Sequence, residues 1–221
     1  KKEIAEFISE WKKKKKPKNI LEPSCGDGVF LKTLDEVYEN TDNSSNVLAI
    51  EYDSVEYSKS VSLSQTLKNV STNILNEDFL SWVIKNIHNN QNFDAIVGNP
   101  PFIRYQYLPE IMQTEAEEIF NYLNIKFTRH SNAWLPFLLA SIHFLSPGGR
   151  LGMIIPSEIM HVMYAQNLRS YIGDKCKFSM VFDPEDLWFK DTLQGAIIIL
   201  IEKKESLSEN SLGLGIQTIK G

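Results

Sequence analysis

The sequence predicts an α/β fold in which a mostly parallel sheet carries helices on both faces. Short segments rich in Val, Ile, Leu and Phe alternate along the chain with longer segments whose apolar residues recur at helical spacing. The strand predicted at residues 93–98 is apolar almost throughout, which is typical of strands buried on both faces. With 221 residues, the chain is long enough to bury a sizeable core in one domain.

Composition narrows the class of protein further. A hydrophobic content of 43% and an aromatic content of 11% are those of a folded globular protein. The longest apolar run, residues 196–201, has only the length of a strand, and the first residues lack the apolar core of a signal peptide. Two cysteines make no disulfide framework, and four scattered histidines give no metal-ligand spacing. We therefore expect a cytoplasmic protein without a metal.

The first half of the chain opens with apolar residues at helical spacing over residues 4–11, which predict an amphipathic helix that ends by Pro17. Strands and helices then alternate. The strands are expected at residues 19–23, 47–51, 73–75 and 93–98, and the helices at residues 28–38, 54–68 and 79–87.

Residues 103–132, here called the insertion, interrupt this alternation. They are mostly polar, with a weak helical pattern over residues 110–123. Connections of this length inside a compact domain are usually functional or mobile. We expect the insertion to be a flap on the substrate side of the domain.

The alternation resumes after the insertion. The elements expected there are a helix at 133–145, a Ser-Pro-Gly-Gly turn at 146–149, a strand at 150–155, a helix at 165–172 and strands at 178–182 and 196–202. We place the catalytic domain at residues 1–204 and interpret the Ser- and Gly-rich residues 205–221 as a tail or linker.

Residues 22–28, Glu-Pro-Ser-Cys-Gly-Asp-Gly, form a glycine-rich loop where the first strand leads into a helix. The two glycines allow a tight turn and a close approach to a ligand. The spacing is neither the dinucleotide pattern nor a Walker loop. The acidic residue before the loop suits a cationic ligand group, although an ordinary strand-to-helix turn has the same pattern.

Carboxylates follow the next two strands. Glu51 ends the second strand, where α/β nucleoside-binding folds hold a ribose diol, but a surface glutamate at a strand end is also common. Asp78 and Phe79 follow the third strand. Asp78 could contact a ligand, cap the following helix, or do both.

Asn99-Pro100-Pro101-Phe102 follows the fourth strand and suggests a reaction. The two prolines fix the backbone, so the Asn99 side-chain oxygen and the Pro100 carbonyl are held as rigid acceptors. A conjugated amino group is a poor nucleophile because its lone pair is delocalised. Two acceptors that bind both of its N–H groups would direct that lone pair towards an incoming methyl group. Phe102 offers a ring on which a flat base can stack.

Together these segments resemble the N6-adenine DNA methyltransferases of bacterial restriction–modification systems, in motif order over residues 4–202. The resemblance implies a class I S-adenosylmethionine-dependent methyltransferase (Rossmann-like) fold. In that fold the mixed sheet has seven strands, and strand seven lies antiparallel beside strand five. The glycine loop would hold the methionine part of the cofactor, Glu51 the ribose, and Asp78 the adenine amino group.

The resemblance also assigns residues to roles. The cofactor-binding residues it implies are Glu22, Ser24, Cys25, Gly26, Gly28, Glu51, Tyr52, Asp78, Phe79, Asn99 and Phe137. The catalytic residues are Asn99, Pro100, Pro101 and Phe102, and the substrate-binding residues are Phe102, Phe189 and Arg104.

The expected partner is double-stranded DNA with a flipped adenine. The net charge of −5 is unusual for a DNA-binding protein. A target-recognition region outside this chain could carry the phosphate contacts. RNA adenine or protein glutamine is the alternative substrate, although their methyltransferases usually carry an Asp-Leu-Gly-type first motif. A non-catalytic DNA-binding or assembly subunit is a second alternative, against which the presence of Glu51, Asp78 and Asn99 argues.

Overall fold

The protein is described by a computed structural model that covers residues 6, 10, 17–39, 45–126, 132–160, 165–184 and 195–219. Most of the predicted opening helix and the substrate-binding candidate Phe189 lie outside these residues. The predicted alternation of strands and helices is confirmed throughout the described part of the chain.

The strands form one mixed sheet with the order β3-β2-β1-β4-β5-β7-β6-β8. The strands of the described chain are β1 Asn19–Glu22, β2 Ser45–Glu51, β3 Val70–Asn76, β4 Phe93–Gly98, β5 Leu145–Pro156, β6 Cys176–Pro184, β7 Ala196–Lys203 and β8 Leu214–Ile219. Neighbours among β1 to β5 are parallel, and β7 runs antiparallel between β5 and β6. The predicted position of strand seven beside strand five is therefore confirmed.

Two expectations about the sheet were wrong. It has eight strands in the described residues rather than seven, because residues 214–219, expected in the tail, pair in parallel with β6. Residues 214–219 pair with backbone groups of β6 that would otherwise lie unpaired at the edge of the sheet. The short sequence of this segment did not indicate that pairing. The Ser-Pro-Gly-Gly segment at 146–149 is an irregularity inside β5 and not a separate turn, since the pairing with β4 shifts from Phe93–Leu145 to Ala95–Arg150.

The helices start close to the strand ends. They are α1 Val29–Val37, α2 Ser54–Ser64, α3 Phe79–Asn86, α4 Glu110–Tyr122, α5 Trp134–Phe144 and α6 Ala165–Lys175. Asp53 and Asp78 cap α2 and α3 by accepting backbone N–H groups of the first turn. Among the described residues, no helix is both long and apolar enough to span a membrane.

The core consists of two clusters, one on each face of the sheet. On β4, Ile96 belongs to the larger cluster, whereas Ala95 and Val97 belong to the smaller one. This follows from the alternation of side chains along a strand. The larger cluster contains α5, a helix that is apolar on nearly all sides and almost fully buried.

The insertion is more firmly packed than a peripheral flap would be. Its helical pattern is confirmed as α4, which places Ala116, Ile119 and Phe120 in the larger cluster. Tyr105 is also buried, and its hydroxyl donates to the Gln113 carbonyl at 2.9 Å. The described part of the insertion is thus built into the core, although its outer residues stay exposed.

Candidate active site

A cavity of about 510 Å³ opens at the carboxyl ends of the parallel strands. Ligands of open α/β sheets bind at this edge, and the volume lies within the range of small-molecule pockets. The residues after β1 to β4 that line it are Ser24, Cys25, Gly26, Glu51, Tyr52, Asp78, Phe79, Asn99 and Pro101. The structure therefore brings most of the predicted site residues together in one cavity.

The glycine-rich loop forms one wall of the cavity, and its two glycines have different surroundings. Gly26 has a φ of +56°, and a Cβ built there would meet no atom within 4 Å. Gly28 has a φ of +91°, and a Cβ there would come within 2.6 Å of Leu63 Cδ2. Gly26 lines the cavity, whereas Gly28 lies at the start of α1 and shapes the turn.

Glu51 connects this loop to the end of β2. Its Oε2 accepts the Gly26 N–H at 2.7 Å, and its Oε1 accepts the Asp53 N–H at 2.8 Å. Because an ionised carboxylate offers about four acceptor positions, two remain for a ligand. The Glu51 carboxylate is thus rigidly held beside the cavity and can accept a pair of hydroxyl groups.

Asp78 caps a helix and also faces the cavity. Its Oδ2 accepts the Ser81 N–H at 2.9 Å as the cap of α3, and the residue also lines the cavity. Burial raises the pKa of the Asp78 carboxyl above its usual value. The carboxyl group can therefore present an acceptor to a ligand while it caps the helix.

Aromatic rings lie beside Asp78. The ring centroids of Phe79 and Phe137 are 5.0 Å apart at an interplanar angle of 43°, and both residues line the cavity. Tyr52 also lines the cavity and is 64% exposed. This part of the site suits a flat aromatic group with an amino substituent.

The Asn99-Pro100-Pro101-Phe102 loop follows β4 and contacts the glycine-rich loop. The Ser24 hydroxyl donates to the main-chain carbonyl oxygen of Asn99 at 3.1 Å. Asn99 is exposed and lines the cavity together with Pro101, whereas Pro100 is buried. Phe102 is half-buried and packs against the smaller core cluster, and it does not line the cavity.

The glycine-rich loop itself contains one acid and one thiol that are buried. Glu22, its first residue, is fully buried and does not line the cavity. Burial, with a further contribution from Glu22, raises the pKa of the Cys25 thiol well above its usual range. Cys25 therefore stays a neutral thiol and does not compete as a nucleophile.

The insertion supplies part of the cavity wall that motif analysis missed. The lining residues from this segment are Ile103, Tyr107, Leu108, Pro109 and Met112. Tyr107 is 70% exposed, which makes its ring accessible from solvent. These residues carry no motif, and only the folding of the insertion over the strand ends places them here. Arg104, the predicted substrate contact on the same segment, is exposed but does not line the cavity.

In the part of the chain that the structure describes, no three His, Cys, Asp or Glu side chains cluster as metal ligands.

The sequence matches the Eco57I restriction-modification methylase family over residues 8–188. A Type II methyltransferase, M.AccI of Acinetobacter calcoaceticus, is 31% identical over 188 residues, which cover 84% of this chain and 32% of that protein. M.HincII of Haemophilus influenzae is 26% identical over 76% of this chain and 29% of its own length. The chain thus spans about a third of the length of these relatives.

Solved structures confirm the predicted fold class. A protein assigned as a class I S-adenosylmethionine-dependent methyltransferase from Listeria monocytogenes is 19% identical and superposes with a TM-score of 0.74, over 98% of this chain and 64% of that one. The methyltransferase subunit of a type I restriction–modification system from Streptococcus thermophilus is 16% identical and has a TM-score of 0.70, over 98% of this chain and 46% of that one.

Proposed function

The chain belongs to the Eco57I restriction-modification methylase family, and we propose that it transfers a methyl group from S-adenosylmethionine to N6 of an adenine flipped out of DNA. One observation carries this proposal: Asn99 and Pro101 line the same cavity as Glu51 and Asp78. The position for the amino group that receives the methyl and the position for a nucleoside cofactor therefore lie in one continuous cavity.

The residues of the cavity fit S-adenosylmethionine. Glu51 has acceptor positions left for the ribose hydroxyls, and Asp78 can accept the adenine amino group beside the Phe79 and Phe137 rings. Gly26 leaves open space where the methionine part would pass. When bound, this cofactor supplies a methyl group on a sulfonium, which is activated enough that no strong base is needed.

The chain's own residues would orient the adenine amino group. We assign the Asn99 side-chain oxygen and the Pro100 carbonyl oxygen as the acceptors of its two N–H groups. The hydrogen bond from Ser24 holds the Asn99 main chain at 3.1 Å, so the loop is fixed before the substrate arrives. Acceptors that are already in place cost no reorganisation at the moment of reaction.

DNA is the proposed substrate because the relatives of this chain are named Type II methyltransferases, and one similar structure is a restriction–modification enzyme bound to DNA. A base inside a duplex cannot reach a cavity at a sheet edge, so the adenine must leave the helix. Because the chain has a net charge of −5, we propose that basic residues in a target-recognition region outside this chain make the phosphate contacts.

The proposal is tested with S-adenosylmethionine that carries a labelled methyl group. The full-length protein is supplied with DNA, RNA or protein, and mass spectrometry identifies the modified group. We expect the label in N6-methyladenine of DNA. Label in a glutamine side chain or in RNA would contradict the assigned substrate, and no transfer to any of the three would contradict the activity.

A further inference from the structure

Glu115 on α4 lies against Asp78, although it comes from the insertion and not from a strand end. Ser81 connects the two acids. Its backbone N–H donates to Asp78 Oδ2 at 2.9 Å, and its hydroxyl donates to Glu115 Oε1 at 2.6 Å. The other oxygen, Glu115 Oε2, is buried, and no donor among the described residues reaches it.

A buried carboxylate oxygen without a donor is costly, and a proton on that oxygen removes the cost. Because Ser81 donates to both acids, the Asp78 carboxyl is held beside Glu115 and can accept this proton. Two carboxyl groups so close together share one proton, because both cannot ionise at low cost.

The surroundings decide which acid keeps the proton. Asp78 accepts a backbone N–H at the start of α3, where the helix dipole favours a negative charge. Burial raises the pKa of Glu115, and the neighbouring Asp78 raises it further. Glu118 on α4 acts in the same direction. Lys85 on α3 also interacts with Glu115, but it is exposed and bound to Glu77. The buried Oε2 of Glu115, without a donor among the described residues, and the backbone N–H on Asp78 thus favour the proton on Glu115 and the charge on Asp78.

We infer that Glu115 is a positioning residue, which donates a hydrogen bond to Asp78 and so aims the Asp78 carboxylate at the amino group of the cofactor's adenine. The inference rests on the proposed function, because it assumes an aminopurine in the cavity. Met112, one turn before Glu115 on α4, lines the same cavity. The insertion thus takes part in selecting the nucleoside and does not only cover it.

This arrangement makes cofactor affinity depend on pH. A bound nucleoside excludes water from the acid pair, which raises the pKa of Glu115 further in the complex than in the free protein. By linkage, the complex holds the proton more tightly, so affinity falls as pH rises through the pKa of Glu115 in the free protein. A glutamine at this position would donate its amide N–H at every pH and remove the dependence.

The test compares two probes in the full-length protein by titration calorimetry across the whole pH range in which the protein stays folded. The probes are S-adenosylhomocysteine and S-inosylhomocysteine, which lacks the amino group. We expect Glu115→Leu to weaken the binding of S-adenosylhomocysteine about tenfold, because one hydrogen bond to a charged group is lost. Binding of S-inosylhomocysteine should change little. Glu115→Gln should keep the affinity of the parent at low pH and lose its pH dependence. Glu110→Gln, which removes an exposed charge from the same helix, is the matched control and should behave as the parent.

Two results would overturn the inference alone: equal weakening of both probes by Glu115→Leu, or an unchanged pH dependence in Glu115→Gln. If Glu115→Leu fails to fold, the pH profile of Glu115→Gln still decides. A parent protein that binds neither probe would instead overturn the proposed function. If the parent and Glu115→Leu both bind S-adenosylhomocysteine more tightly than S-inosylhomocysteine by the same factor, the proposed function holds but Glu115 plays no part in it.

Discussion

At the scale of single residues, Gly26 and Gly28 show how one short motif combines a ligand contact with a backbone requirement. Both have positive φ, but Gly26 borders the cavity, whereas Gly28 packs against Leu63 at the start of α1. An alanine costs roughly 1–2 kcal/mol in the left-handed region. At Gly28 the displacement of Leu63 adds to this cost.

The two alanine variants should therefore separate stability from binding. We expect Gly28→Ala to lower the free energy of unfolding by about 2 kcal/mol or more, with little change in S-adenosylhomocysteine affinity. Gly26→Ala should lose less stability and weaken binding. Denaturant unfolding and calorimetry on both variants measure this, and the reverse ranking in either quantity would contradict the assignment.

Cavity-lining residues could be located from the sequence where a motif stands at a strand end. Glu51 and Asp78 could be found because a strand precedes each and the carboxyl ends of parallel strands share one edge. Tyr107, Met112 and Glu115 could not be found in this way. Tyr107 and Met112 reach the cavity, and Glu115 reaches Ser81 beside Asp78, through the packing of the insertion, which depends on contacts distant in sequence.

At the scale of elements, the insertion was expected to be a flap on the substrate side, and its described residues both line the cavity and pack into the core. On α4, Ala116, Ile119 and Phe120 lie in the larger cluster and Met112 packs against it, which is the spacing of one helix face. The few apolar positions were visible in the sequence, yet nothing there showed which surface they would meet. The structure shows that they meet α3 and α5.

Phe120→Ala tests whether α4 contributes to the core. Phe120 is 1% exposed, and removal of such a ring should lower the free energy of unfolding by about 3–5 kcal/mol. Ile111→Ala on the same helix is the control, because Ile111 is 65% exposed and should change stability by less than about 0.5 kcal/mol. Similarly small losses for both variants in chemical denaturation would mean that the helix does not contribute to the core.

At the scale of the whole molecule, Lys203 ties the end of β7 to the junction of α5 and β5. Its Nζ donates to the His143 carbonyl at 2.9 Å and to the Leu145 carbonyl at 2.6 Å. Burial lowers the pKa of Lys203 to about 8. The unfolded chain keeps this proton up to a pH of about 10.5. Between these values the unfolded state binds more protons, so stability rises with pH.

Comparison with Lys203→Met isolates this contribution from other titrating groups. From pH 8 to pH 10, the free energy of unfolding of the parent should rise relative to the variant by up to about 1.4 kcal/mol per pH unit, the limit for one proton. Equilibrium unfolding at several pH values measures the difference, and Lys32→Met, which removes an exposed lysine, is the control. A constant or falling difference between parent and Lys203→Met would show that Lys203 is not held as described.

The Asn99 side chain is proposed to orient the methyl acceptor, while most of the cofactor contacts are made by other residues of the cavity. Single-turnover methyl transfer to adenine in DNA, measured together with S-adenosylhomocysteine affinity, tests it most directly. Asn99→Ala should slow transfer by about a hundredfold or more and leave the affinity nearly unchanged. Transfer at the parental rate would contradict the claim.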